Sequence, residues 1–274
     1  MKNTKNMRSK LILLVLFYLA AGQAFPQEYK IPKNSGKLIL NLQHVIVTGY
    51  EGEDLVFINK TAEITAPDER AKGLKPLKPA GLEDNTGMGL HLKMNETDHV
   101  VTVDMIDQQN TDFFEIKVPR GISSVTINTG RPSVFLRKEK SITARSLNCS
   151  LEISAQGDVL LENNTGPLNV STYHGNIEAR FGPVMEGPIS FITSMGYIDV
   201  TVPESIRATV DMATGTTDGN LFAAEELNIV PVEDARNRYD AMLKRVIGKI
   251  NDGGLHLNLR STSGNIYLRA ASGL

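Results

Sequence analysis

Residues able to do acid–base, nucleophilic or metal chemistry are present, but few stand at spacings that would bring them together. The five histidines, His44, His91, His99, His174 and His256, are scattered, and no two lie three or four residues apart as paired ligands would. Asp98, Asp104, Asp107 and Asp112 form an acidic group without the Asp-x-Asn-x-Asp-Gly loop that surrounds calcium with oxygens, so solvated turn residues are expected. Cys149, inside Asn148-Cys-Ser150, has no nucleophile signature and, as the only cysteine, can form no intrachain disulfide. No nucleophile elbow or phosphate-binding glycine loop occurs. On these grounds no catalytic residue, metal ligand or cofactor site is assigned. One charged feature stands out in an otherwise acidic chain: Arg131, Arg137, Lys138, Lys140 and Arg145 form a basic stretch. It could meet an acidic glycan or protein partner, the plain alternative being a solvated strand face.

The elements that must position such residues are set by a repeat. Gly followed by Asn, Asp or Tyr and then Ile or Val recurs at Gly157, Gly175, Gly196, Gly219 (with Leu221) and Gly264, the first four at intervals of 18, 21 and 23 residues. Pro167 to Ala179 aligns with Pro188 to Val200 at an offset of 21. Each copy is a short alternating run, a polar turn and another alternating run, which predicts strands with one buried face. The inward set is Leu151, Ile153, Val159 and Leu161, then Leu168, Val170, Ile177 and Ala179, then Ile189, Phe191, Ile198 and Val200, and finally Leu257, Leu259, Ile266 and Leu268. A unit this small cannot bury its apolar face alone, so successive units must stack in parallel. The predicted fold is all-β, a parallel β-solenoid resembling a right-handed β-helix; an antiparallel sandwich, with Gly-Asn and Gly-Asp as hairpin turns, is the competing architecture. Among the outward positions Asn169, Asn176, Glu178, Ser190, Asp199, Asn258 and Asn265, the only acids are Glu178 and Asp199. Stacked in adjacent coils, they would be the best placed pair for hydrolytic acid–base work.

Residues 28–130 read as less regular opening coils, 147–224 as regular repeats and 254–270 as the final coil. Pro119 and Pro203 each close an apolar strand, where a missing donor does no harm. Glu233 to Ile250 departs from the pattern: Ala235, Tyr239, Met242, Leu243, Val246 and Ile247 recur at three and four, predicting an inserted amphipathic helix over 233–250 that caps the open end of the coils.

At the other end, Lys2, Lys5, Arg8 and Lys10 precede the apolar run Leu11 to Ala21, too short to span a bilayer and followed by small residues. This predicts a secretory signal peptide over 1–24 and a single elongated domain over 25–274, with no later segment able to span a membrane. Removing the leader takes away four of the 29 basic residues and none of the 31 acidic ones, leaving a formal charge of −6. Net attraction to nucleic acid or anionic lipid is therefore not expected. Tryptophan is absent and aromatics make up 6% of residues, which also disfavours aromatic-lined clefts and carbohydrate platforms.

The Gly-Asn/Asp-Ile/Val repeats, the strand ends Val118-Pro119 and Val202-Pro203, and the closing run from Asp252 to Leu268 resemble the bacterial putative-adhesin domain family over roughly residues 36–270. That resemblance implies an exported β-solenoid body and supplies no catalytic residues to carry over. The expectation is a non-catalytic protein of the periplasm or cell surface, an adhesin or scaffold without a cofactor that offers its strand surface to an envelope protein or glycan. The rival expectation is a β-helix polysaccharide lyase or hydrolase.

Overall fold

The computed structural model describes residues 27–61, 70, 72–73, 81–107, 112–130, 141–215, 219–232 and 243–271. The signal peptide over 1–24 and four of the five basic-stretch residues, Arg131, Arg137, Lys138 and Lys140, lie outside them.

The described residues form an all-β fold of two large mixed sheets with long parallel stretches, sheet A running from β1 (Gln27–Ile31) to β17 (Leu221–Ala223) and sheet B from β18 (Val230–Pro231) to β5 (Leu90–Asn95) in order of pairing. From Ile122 to Pro203, β8 to β15, consecutive strands alternate between the sheets, so each pair makes one rung. In the regular region the rungs are β8 (Ile122–Asn128) with β9 (Ile142–Arg145), β10 (Ser150–Ala155) with β11 (Val159–Glu162), β12 (Leu168–Thr172) with β13 (Ile177–Arg180), and β14 (Ile189–Thr193) with β15 (Ile198–Pro203). The first member of each rung lies in sheet B and the second in sheet A, and neighbouring rungs pair in parallel. The 21-residue offset read from the sequence is the actual register: Leu168 faces Ile189 and Ile177 faces Ile198. Every residue of the inward set is at most 2% exposed and belongs to one continuous core between the sheets. Burying a side chain of this size contributes roughly 1.5–3 kcal/mol, so stacking, not any single rung, supplies the stability.

A buried hydrogen-bond ladder at one corner explains the Gly-Asn grammar. The Thr172, Thr193 and Ser261 hydroxyls donate to the carbonyls of Gly157, Gly175 and Gly196 in the adjacent rung and accept the N–H of Gly175, Gly196 and Gly264 in their own. Rungs approach so closely here that a Cβ on Gly175, Gly196 or Gly264 would lie about 2 Å from the neighbouring glycine's carbonyl oxygen. The next residue completes the ladder: Asp158, Asn176 and Asn265 side-chain oxygens accept the backbone N–H of Asn176, Tyr197 and Asn220. Glycine is therefore required by close approach, and Asn or Asp by an N–H that needs an acceptor.

The order of rungs departs from chain order at both ends. The strands β20 (Leu255–Ser261) and β21 (Ile266–Ala271) pair with β14 and β15 on one side and with β16 (Ala208–Gly215) and β17 (Leu221–Ala223) on the other. The last coil thus fits between two made earlier. At the opposite end β2 (Gly36–Asn41) and β3 (Val45–Tyr50) likewise sit between β8 and β9 and the pair β6 (Val100–Met105) and β7 (Phe114–Pro119). Antiparallel strands then extend the sheets: β5 (Leu90–Asn95) on β6, and β4 (Leu55–Asn59) on β7 with β1 (Gln27–Ile31) beyond it.

The helix predicted over 233–250 is not seen. Residues 233–242 lie outside the described residues, and β19 (Leu243–Ile250) is a strand antiparallel to β16, with β18 (Val230–Pro231) on its far side. Within this stretch Val246, Ile247 and Ile250 are β-branched, and the register sets Val246, Gly248 and Ile250 against Met212, Val210 and Ala208. An unpaired β16 edge outweighs the weak helical periodicity, so the expected cap exists in another form.

Candidate functional site

Among the described residues, the outer face of sheet A brings together acidic, basic and aromatic side chains. Register brings Leu160, Glu178, Asp199, Tyr267 and Phe222 into one row across β11, β13, β15, β21 and β17. Each stands three residues after its repeat glycine, a position that the alternating strand turns to solvent. The two outward acids are therefore on adjacent rungs, as their frame predicted.

Neither carboxylate is idle. Asp199 accepts two hydrogen bonds from Arg269, from Nε at 2.7 Å and from Nη2 at 2.9 Å, and Glu178 accepts the Tyr197 hydroxyl. That hydrogen bond to Glu178, together with burial and the carboxylate's charge, pushes the Tyr197 hydroxyl up to about 12. Three aromatic rings complete the face. Phe222 stacks on Tyr267 at 5.2 Å with an 8° interplanar angle, Tyr197 meets Tyr267 edge to face at 6.4 Å, and the Arg269 guanidinium lies 5.4 Å from the Tyr267 ring centre. Asn265 donates to the Tyr267 hydroxyl. At the corner beside Phe222, Lys244 donates to the Gly219 carbonyl and the Asn220 side-chain oxygen.

Sequence reasoning singled out the acids but missed the rings. The signal was available: the column three residues after each glycine reads Leu160, Glu178, Asp199, Phe222 and Tyr267. What it could not supply was the stacking of the Gly264 copy beneath the Gly219 copy, which makes Tyr267 and Phe222 neighbours.

The remaining sequence-predicted residues do not converge. Arg145 ends β9 and pairs with Glu162 on the next rung. His91 bonds the Glu83 carbonyl, His44 accepts the Ser141 N–H, and His174 packs edge-on against Tyr173. Asp98, Asp104 and Asp112 accept side-chain hydrogen bonds from Asn95, Asn41 and Asn59. Among the described residues no group of three His, Cys, Asp or Glu could hold a metal ion. Cys149 is buried, which pushes its thiol up to about 11 and keeps it a small apolar core residue. Among the described residues no helix is long and apolar enough to cross a membrane.

Comparison with known proteins follows the fold. A putative cell adhesion protein from Clostridium sporogenes is similar in structure at 12% identity and a TM-score of 0.45, covering 90% of this chain and all of its own. A putative adhesin from Bacteroides fragilis shows 9% identity and a TM-score of 0.32, covering 91% of this chain and 98% of its own. No curated protein matches the chain. The family model of Toastrack DUF4097 matches residues 141–269, a stretch that begins just before β9 and ends within β21. Residues 141–269 thus resemble the Toastrack DUF4097 family, and they hold the repeats from which the resemblance to the bacterial putative-adhesin family was drawn.

Proposed function

We propose that the protein is a non-catalytic, exported component of the cell envelope, an adhesin or scaffold that presents the outer face of its sheets to a protein or glycan. The observation that carries this reading is the state of the two acids. A hydrolase needs one carboxyl free to give a proton and a second free to attack or to activate water. Here Glu178 is engaged by Tyr197 and Asp199 is clasped by both arms of Arg269. These side chains are spent on bonding rung to rung, which suits a rigid recognition surface better than acid–base turnover.

Two measurements on residues 25–274 test the proposal together. Co-sedimentation with purified native envelope is expected to retain the protein. Incubation with a panel of polysaccharides is expected to release no new reducing ends or unsaturated products. Cleavage that disappears in a Glu178→Ala, Asp199→Ala double variant would replace this reading with the hydrolase one. Neutralising Arg131, Arg137, Lys138, Lys140 and Arg145 in the same assay assigns the contact: unchanged retention removes the basic stretch as the interface.

A further inference from the structure

In a chain with no tryptophan and 6% aromatic residues, three rings share the solvent side of one sheet, and the outermost stands at that sheet's end. β17 is the last described strand of sheet A, so Tyr267 stacks on one face of Phe222 and no further described strand of that sheet lies beyond it. Phe222 is 48% exposed. Among the described residues the backbone around it is also open. Ile266 N–H bonds the Asn220 carbonyl and Ala224 N–H bonds the Leu268 carbonyl, so Asn220 and Ala224 turn toward β21. By the alternation of a parallel ladder, Leu221 and Ala223 direct their N–H and C=O groups off the sheet edge. Asn220 flanks this edge at the corner.

We propose that this open end of sheet A is a binding subsite for a neutral pyranose. The free face of Phe222 would stack on the C–H face of the sugar ring, and the Asn220 side chain and the Leu221 and Ala223 backbone would meet its hydroxyls. An exposed ring ringed by a few fixed donors and acceptors is the composition that a sugar, apolar on its faces and polar round its rim, requires. A peptide strand fits the edge less well, because strand addition needs a run of ladder bonds and β17 is only three residues long before the 3-10 turn Glu225–Leu227. An acidic sugar is also disfavoured, since Lys244 is already bonded to Gly219 and Asn220 and Arg269 to Asp199.

The subsite rests on the proposed role in glycan or protein recognition and names the ligand class. Tyrosine emission, free of tryptophan, and ligand-observed NMR would follow titration of residues 25–274 with cellohexaose, laminarihexaose and chitohexaose, with hexagalacturonate as the acidic comparison. At least one neutral hexamer is expected to bind. Phe222→Ala and Phe222→Leu are each expected to weaken binding about tenfold or more, while Phe222→Tyr stays within about twofold. Thermal melts check that both weakened variants are folded, and the Leu variant retains apolar bulk if the Ala variant is not. The subsite is overturned if no neutral hexamer binds, if only the acidic one does, or if folded Phe222 variants bind like the parent. Envelope retention without hexamer binding would sink the subsite alone, whereas loss of retention would sink the broader reading.

Discussion

Two arginines converge on Asp211 from different strands. Arg245 on β19 clasps it with Nε and Nη2, each at 2.9 Å, and Arg260 on β20 adds an Nη2 contact at 3.1 Å. Burial pushes the Asp211 carboxyl up, but the bonds and charges of Arg245 and Arg260 outweigh it and hold the group below its ordinary value of 3.8. A carboxylate depressed on folding stabilises the fold above its unfolded value, and that contribution is lost as the pH falls through the folded one. The stability of the parent should therefore drop more between pH 5 and pH 2.5 than that of Asp211→Asn. At neutral pH the substitution should cost about 1–2 kcal/mol, discounted because the group is partly exposed. Urea melts at a series of pH values measure both effects, and parallel pH profiles for the two proteins would contradict the assignment.

At the scale of elements, the corner ladder makes glycine and threonine unequal to their closest substitutes. Thr193 is fully buried, donating to Gly175 and accepting from Gly196, so Thr193→Val strands two backbone groups and should cost about 1–3 kcal/mol. Gly196→Ala places a Cβ 2.0 Å from the Gly175 oxygen and should destabilise by at least about 2 kcal/mol. Gly182→Ala is the control, because its nearest neighbour, the Asn163 side-chain oxygen, is 3.6 Å away. It should be neutral or slightly stabilising. Differential scanning calorimetry of the three variants ranks them directly. Much of this scale was legible in the sequence. Alternation marked the buried residues from Leu151 to Leu268, and repeat spacing gave the registers of β12 with β14 and β13 with β15. The stretch 243–250 was not legible, because Leu243, Val246, Ile247 and Ile250 satisfy a helical spacing as well as a strand, and only the vacant edge of β16 decides between them.

Across the whole molecule the feature that no local pattern announces is the insertion of β20 and β21 between rungs made earlier. Gly264 looks like the fifth copy in a series, and it stacks as if it were the fourth, with Gly219 beyond it. Periodicity reports that units resemble one another but carries no information about which edge each unit meets. A stack built strictly in chain order would fray from its ends. Here the amides of Leu257, Leu259, Ile266 and Leu268 should exchange with deuterium as slowly as those of Val170 and Phe191, although they lie within the final coil. Protection that declines steadily toward Ala271 would count against this picture.

The same insertion bears on how such a molecule could change its length over descent. A tandem copy following β21 would find both sides of β20 and β21 already occupied, and one placed ahead of β2 would meet the same obstacle. New coils are most readily added by duplication within the run from β8 to β15, where chain order and stacking order coincide. Lengthened descendants should therefore keep both ends and multiply the middle.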